Sequence, residues 1–303
     1  IVHQSDMKYQ EQIDTVFKKR LLAMMRSCQR FFEQHGIKYY GGYGTVLGAV
    51  RHGGFIPWDD DLDLHMMRED YNRLIALNGE LEKTGYRFVC IENDNTCYYP
   101  FGKIIDLSTS LWEFAKFPYM SGIYIDVFPL DNVAGTKDEY EQKRKEFQDL
   151  HRKHCLALEK PRLRRFIRDC IYWDFPDGLN RLRYYNKRVR EKEHNMYYRR
   201  LLASIDTFNH SVGAYCTYFP EGPFFDRNWF LRPQELKFED IKLPAPGDYD
   251  TYLTLLYGDY MTPPPPEKRN LTHGHARQYL NLNQRVSIEQ ARKDIRKGRK
   301  LIY

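Results

Sequence analysis

Residues 41–66 read GGYGTVLGAVRHGGFIPWDDDLDLHM. A glycine-rich turn, GGYG, opens the stretch. TVLGAVRH (45–52) follows and reads as a short helix, which GGF and Pro57 break. DLDLHM (61–66) then alternates polar and apolar, the pattern of a strand with one exposed face. On such a strand Asp61, Asp63 and His65 share one side, and Leu62, Leu64 and Met66 take the other. Asp59, Asp60, Asp61 and Asp63 fall within five positions. Four carboxylates so close repel each other unless they are solvated or surround a cation. Trp58, Leu62 and Leu64 predict partial burial, where an unpaired acidic cluster is costly. The balance favours a cation.

Two carboxylates at i and i+2 on a strand can share one divalent ion, and an Asp on a neighbouring strand can complete the set. GIYIDVF (122–128) reads as such a strand and carries Asp126. Hard oxygen ligands with few nitrogens suit Mg²⁺ or Mn²⁺. A site of this kind holds a phosphate or pyrophosphate and orients an in-line displacement. The turn at Gly42 and Gly44 lets backbone N–H groups approach the same phosphates, and the helix starting near Thr45 adds its positive end. Arg51 could contact a phosphate or pair with the acidic loop. Lys103, on the predicted strand FGKIIDL (101–107), lies near the carboxylates in this scheme. His273 and His275 have ligand-like spacing but no matching third ligand. Asp59 and Asp60 could hold metal-bound waters or cap the loop.

The rest of the chain frames this core. Its 303 residues suit one large or two small domains with a real core. The net charge of +6 permits an anionic partner without demanding nucleic acid. Basic residues concentrate between 143 and 200: KRK (143–145), RLRR (162–165), RLR (181–183) and RR (199–200). They read as solvated helix faces or as a surface for an anionic acceptor or membrane. The cysteines, Cys28, Cys90, Cys97, Cys155, Cys170 and Cys216, form no CxxC pair, so reduced thiols and a cytoplasmic setting are expected. No apolar run reaches membrane-span length. Helical spacing over 7–35 places Ile13, Val16, Phe17, Leu21, Met24, Met25, Phe31 and Phe32 on one face, ended by Gly36. A helix over about 68–81 and a strand over 86–92 follow. A basic helical subdomain is expected over 137–237, between a core over 1–136 and a segment over 238–303 that returns to it as strand, turn and helix. No GxGxxG or GxxxxGK[ST] run is present, against dinucleotide or P-loop chemistry.

GYGTVLGAVRHGGFIPWDDDLDLHMMREDY (42–71) resembles the signature of the LicD family, phosphotransferases that attach phosphocholine to bacterial surface glycans. Fukutin and fukutin-related protein are its eukaryotic relatives and transfer ribitol phosphate. KIIDLSTSLWE (103–113), GIYIDVFPLD (122–131), LPAPGDYDTYLTLLYGDYM (243–261) and the PP…KR…H stretch after it extend the resemblance. Residues 137–237 carry no motif of this kind.

The resemblance implies an α+β, nucleotidyltransferase-like fold: a mixed sheet flanked by helices, with the D-x-D pair at its active edge. It makes Asp61, Asp63 and Asp126 the metal-binding and catalytic carboxylates. It makes Gly42, Gly44, Thr45, Arg51, Trp58, Lys103 and His275 candidate substrate contacts, with His275 near the acceptor or diphosphate. The expected reaction is metal-dependent transfer of phosphocholine from CDP-choline to a sugar hydroxyl of a glycan or lipid-linked glycan, such as a teichoic acid, lipopolysaccharide or capsule precursor. Peripheral association with the inner face of the plasma membrane goes with such an acceptor. Transfer of ribitol or glycerol phosphate from a CDP-alditol is the alternative. A nucleotide-adding or nucleic-acid-binding protein on the same fold is the alternative of another class, with no RNA-recognition motif to support it. Trp58, Trp112, Tyr119 and Tyr124 are candidates for an aromatic cage around choline.

Overall fold

The computed structural model describes residues 4–94, 96–114, 117, 119–132, 137–158, 179–180, 182–186, 214–216, 224–269 and 277–302. They fall into two compact units, one of residues 1–88, 102–130 and 225–303, the other of residues 89–101 and 131–224.

The chain opens with α1 (Gln4–His35), β1 (Tyr40–Gly41), α2 (Tyr43–His52), β2 (Asp63–Met67), α3 (Arg68–Ala76) and α4 (Asn78–Glu82). Then come β3 (Tyr86–Val89), β4 (Gly102–Asp106), β5 (Ser110–Trp112), β6 (Tyr124–Asn132), α5 (Lys137–Leu158), β7 (Ala214–Cys216) and β8 (Phe224–Asp226). The C-terminal part holds α6 (Asn228–Leu231), β9 (Gln234–Phe238), β10 (Ile241–Ala245), α7 (Tyr249–Tyr257), β11 (Tyr279–Asn281), α8 (Ile288–Arg296) and β12 (Leu301–Ile302). This is the expected mixed sheet flanked by helices.

In α1 the residues Phe17, Leu21, Met24, Met25, Cys28, Phe31 and Phe32 are all buried, spaced as one helical stripe. Each such side chain contributes about 1.5–3 kcal/mol. Val16, expected on that face, is 38% exposed. It lies one position off the stripe, about 100° around the helix. Gly36, at φ +61°, then turns the chain in a conformation that a side chain would strain.

The main sheet runs β1-β2-β6-β4-β3. β2 and β6 are parallel, and β1 and β4 are antiparallel to their neighbours. β2 is therefore a central strand, and Asp63, Leu64, His65 and Met66 are all buried. The expectation of one exposed face for this segment does not hold. The polar alternation marks a site inside the fold rather than a wet face. β9 and β10 form a hairpin, and β12, β11 and β5 form a third small sheet. Neither β5 nor the β11–β12 pair was expected. Each is only two or three residues long, below the length at which alternation is a signal.

In the second unit α5 is held by its histidines. His154 Nε2 lies 3.0 Å from the Cys97 carbonyl and His151 Nε2 3.1 Å from that of Tyr98. Cys28, Cys90, Cys97 and Cys155 are free thiols. The basic runs 162–165 and 199–200 lie outside the described residues. No helix among the described residues is long and apolar enough to cross a membrane.

Candidate metal centre

The parallel register of β2 and β6 sets Asp63 beside Asp126. The Asp126 N–H donates to the Leu62 carbonyl at 2.9 Å, which ties the residue before Asp63 to β6. Asp61 precedes the strand instead of lying on it, so the pair does not project from one strand face as expected. The site survives this change. One oxygen from each of Asp61, Asp63 and Asp126 lies within 4.8 Å of the others.

β4 supplies the counter-charge. Lys103 pairs with Asp126 in the antiparallel ladder, and its Nζ donates to Asp126 Oδ1 at 2.7 Å. The ammonium is 3% exposed and sits 3.2 Å from the centroid of the Tyr124 ring. The Tyr124 hydroxyl donates to Glu113 Oε1 at 2.6 Å. Burial, then Asp61, Asp126 and Asp59, push the Asp63 carboxyl well above the usual range, against the pull of Lys103. Burial also raises Asp126, to about 6, although Lys103 opposes it. Three converging oxygens that strain against each other, two of them on buried side chains, fit Mg²⁺ or Mn²⁺.

The glycine turn serves the site differently from its expected role. The Gly42 N–H donates to the Asp63 carbonyl at 2.8 Å, and the Thr45 N–H to the Gly42 carbonyl at 2.9 Å. Tyr43 N–H donates to the Tyr252 hydroxyl at 2.8 Å. These donors are committed to the fold, not to a phosphate. Thr45 is buried, and its Oγ1 accepts the Asp63 N–H at 2.8 Å, so it positions the carboxylate rather than facing substrate. Gly44 has a steric reason: a Cβ there would come within 2.8 Å of Asp59 Oδ2. Tyr43 takes φ +38°, a strained conformation for a residue with a side chain. Tyr252, on α7, holds it there, and its hydroxyl also lies 2.8 Å from His65 Nε2. His65 is fully buried against Tyr43, Phe225 and Phe230, and burial lowers its pKa to about 3. It is a neutral anchor of the turn.

Other expected residues fall in varied places. Asp60 is buried and paired through Oδ2 with Arg277, also buried, so it does not cap an exposed loop. Arg51 and Trp58 lie together, the guanidinium 5.9 Å from the ring centroid. Trp112 is core, packed with Tyr279 and Ala291, and its Nε1 donates to the Phe114 and Phe117 carbonyls. It lines no cage. The Tyr124 ring already carries Lys103. Tyr119 is half-buried. His273 and His275 lie outside the described residues. Sequence reasoning missed Tyr252, Glu113 and Arg277. The first two stand inside the quoted motifs but carried no spacing signal.

A family model described as LicD/FKTN/FKRP, nucleotidyltransferase domain, matches residues 36–166. Residues 36–166 form a LicD-family domain. The chain is 27% identical over 244 residues to the lipopolysaccharide cholinephosphotransferase LicD of Haemophilus influenzae, covering 80% of this chain and 88% of that protein. It is 26% identical over 141 residues to the human ribitol 5-phosphate transferase FKRP, covering 42% of this chain and 25% of that one. Over 138 residues it is 25% identical to the yeast mannosyltransferase regulator 4, 41% of this chain and 11% of that protein. All three carboxylates lie inside the LicD-family domain, whereas Tyr252 and Arg277, which brace its turn and loop, lie outside it.

The raised carboxyls set a pH-dependent prediction. A carboxyl whose folded pKa is raised contributes stability below its unfolded value near 3.8 that is lost as pH rises, for Asp126 through about 6. At pH about 7.5 the metal-free fold therefore carries the repulsion that a divalent ion relieves, and at about pH 5 the ion must displace protons. The gain in melting temperature from Mg²⁺ or Mn²⁺ over EDTA should shrink from pH about 7.5 to 5. His65 titrates in the opposite sense but with and without metal alike, so it cancels in the difference. A gain as large at the lower pH would contradict this electrostatic account.

Proposed function

We propose that the protein transfers phosphocholine from CDP-choline to a sugar hydroxyl of a cell-surface glycan or its lipid-linked precursor. The observation that carries this reading is the convergence of Asp61, Asp63 and Asp126 oxygens within 4.8 Å. That arrangement suits metal-assisted phosphoryl transfer. Similarity to a cholinephosphotransferase over 80% of the chain supports choline as the transferred alcohol.

Asp61, Asp63 and Asp126 would hold Mg²⁺ or Mn²⁺, which would supply charge neutralisation at the donor phosphates. Asp126 would either share that ion or accept the proton of the attacking hydroxyl. Lys103 fixes one Asp126 oxygen and leaves the other for one of these two tasks. The acceptor oxygen attacks the phosphorus that bears the alcohol, the bond to the bridging oxygen breaks, and CMP leaves with that electron pair.

A second reading, transfer of ribitol or glycerol phosphate, is favoured by the aromatic side chains. The Tyr124 ring is covered by Lys103 and Trp112 is core, which weakens an aromatic cage built from them. The deciding experiment is CMP release from CDP-choline, CDP-ribitol and CDP-glycerol, in Mg²⁺ and then in EDTA. CDP-choline should be preferred, and EDTA should abolish turnover. A tenfold or greater preference for an alditol, about 1.4 kcal/mol, would select the second reading. Full turnover in EDTA would remove the metal from both.

A further inference from the structure

Two arginines flank one indole beside the acidic loop. Arg51 Cζ lies 5.9 Å and Arg269 Cζ 4.9 Å from the centroid of the Trp58 ring. Each guanidinium is fixed by a backbone carbonyl: Arg51 Nη1 donates to Tyr260 O and Arg269 Nε to Pro264 O, both at 2.7 Å. Arg51 Nε also donates to His52 Nε2 at 3.0 Å, and the His52 ring packs edge-on against Trp58.

One arginine on a tryptophan is an ordinary cation–π contact worth about 0.5–1 kcal/mol. The second cation opposes the first. Burial lowers the Arg51 pKa, and Arg269 lowers it further. Among the described residues neither guanidinium has a carboxylate partner. Of the neighbouring acids, Asp60 is paired with Arg277, and Asp59 Oδ1 accepts the Asp60 N–H at 3.3 Å. Both forks keep N–H groups to spare, since Arg carries five. The pair is tied to the acidic loop through the indole they share. Trp58 directly precedes Asp59, the first residue of the acidic run. Two repelling cations held by the backbone on the residue that leads into the acidic loop form a preorganised seat for an anion.

We propose that Arg51 and Arg269, stacked on Trp58, bind the phosphate that leaves with the nucleotide, while the carboxylate centre handles the phosphate that is transferred. This rests on the reading of a nucleotide-diphosphate donor. When the bond to the bridging oxygen breaks, its electron pair stays on the nucleoside monophosphate, and the two guanidiniums stabilise that growing charge. The hydroxyl proton goes to Asp126, so charge and atoms balance.

The test is calorimetric titration of the protein with CMP and with cytidine, in Mg²⁺ and in EDTA. Wild type should bind CMP more tightly than cytidine. Arg269→Ala and Arg51→Ala should each weaken CMP by at least about tenfold, as expected for a lost charge-assisted hydrogen bond, and leave cytidine unchanged. Arg269→Lys should recover part of the loss, as a point charge without the fork. Arg269 is exposed, so its variants should melt with wild type. Wild-type CMP affinity in Arg269→Ala overturns the proposal, as does failure of the wild type to bind any phosphate. If wild type ignores CMP but binds UMP, AMP or pyrophosphate, the cytidine donor falls. The arginine pair then stands if the same variants lose that anion, and falls if they keep it.

Discussion

Asp63→Asn will lower phosphotransfer by at least about a hundredfold, the usual scale for a lost charge-stabilising group, and in EDTA it will raise the melting temperature. The two effects have one cause. Asp63 is buried beside Asp61, Asp126 and Asp59, and all three push its carboxyl up. Removing its charge relieves repulsion in the empty site and removes a ligand from the filled one. Asp126→Asn should lose activity similarly but gain less stability, because Lys103 at 2.7 Å already offsets that carboxylate. Lys103→Met should move the other way, since it takes away the buried cation, and breaking such a pair costs about 3–5 kcal/mol. Melting curves in EDTA and single-turnover rates in Mg²⁺ give both readouts. A metal-free Asp63→Asn protein that melts well below wild type would mean that Asp63 holds the fold together rather than straining it.

The second large effect is on stability. Asp60 is 2% and Arg277 5% exposed, and they are paired, with the Arg277 guanidinium 4.2 Å from the Phe17 ring centroid. Asp60→Asn or Arg277→Met alone should cost about 3–5 kcal/mol, because each strands the other charge in a dry place. The double variant should recover a good part of that loss, since two neutral side chains leave no buried ion. Urea unfolding of the four proteins closes the cycle. If Asp60→Asn keeps full stability and instead weakens metal binding, Asp60 belongs to the ion and not to Arg277.

Much of this was legible in the sequence, for physical reasons. α1 announced itself by a helical stripe of apolar residues, and β2 by the D-x-D alternation. The three carboxylates that converge were singled out because Trp58, Leu62 and Leu64 predict burial, where an unpaired acidic cluster is costly. What stayed hidden came from long-range partners. Nothing near Asp60 names Arg277, 217 residues away, so Asp60 read as a solvent or metal ligand. Nothing near Gly42 and Tyr43 says that their N–H groups are already taken by Asp63 and Tyr252, so the turn read as a phosphate cradle. The aromatic count suggested a cage, but only the structure shows Lys103 over one ring and two arginines on another. α8 did have a local signal. Ser287 and Gln290 begin a capping pattern, and the Ser287 Oγ accepts the Gln290 N–H at 3.2 Å, but its polar composition masked it.

The Asp60–Arg277 tie has a consequence for the newborn chain. The acidic loop is made early in synthesis, yet the residue that neutralises its buried carboxylate is added 217 residues later. At roughly 5–20 residues per second that is a delay of roughly 10–40 s. Tyr252, which holds the strained turn at Tyr43, arrives 209 residues late as well. During that interval the nascent protein carries its carboxylates without the brace that shapes them. The ribosome-bound chain should therefore be catalytically silent until Arg277 has emerged, however complete the central sheet already is.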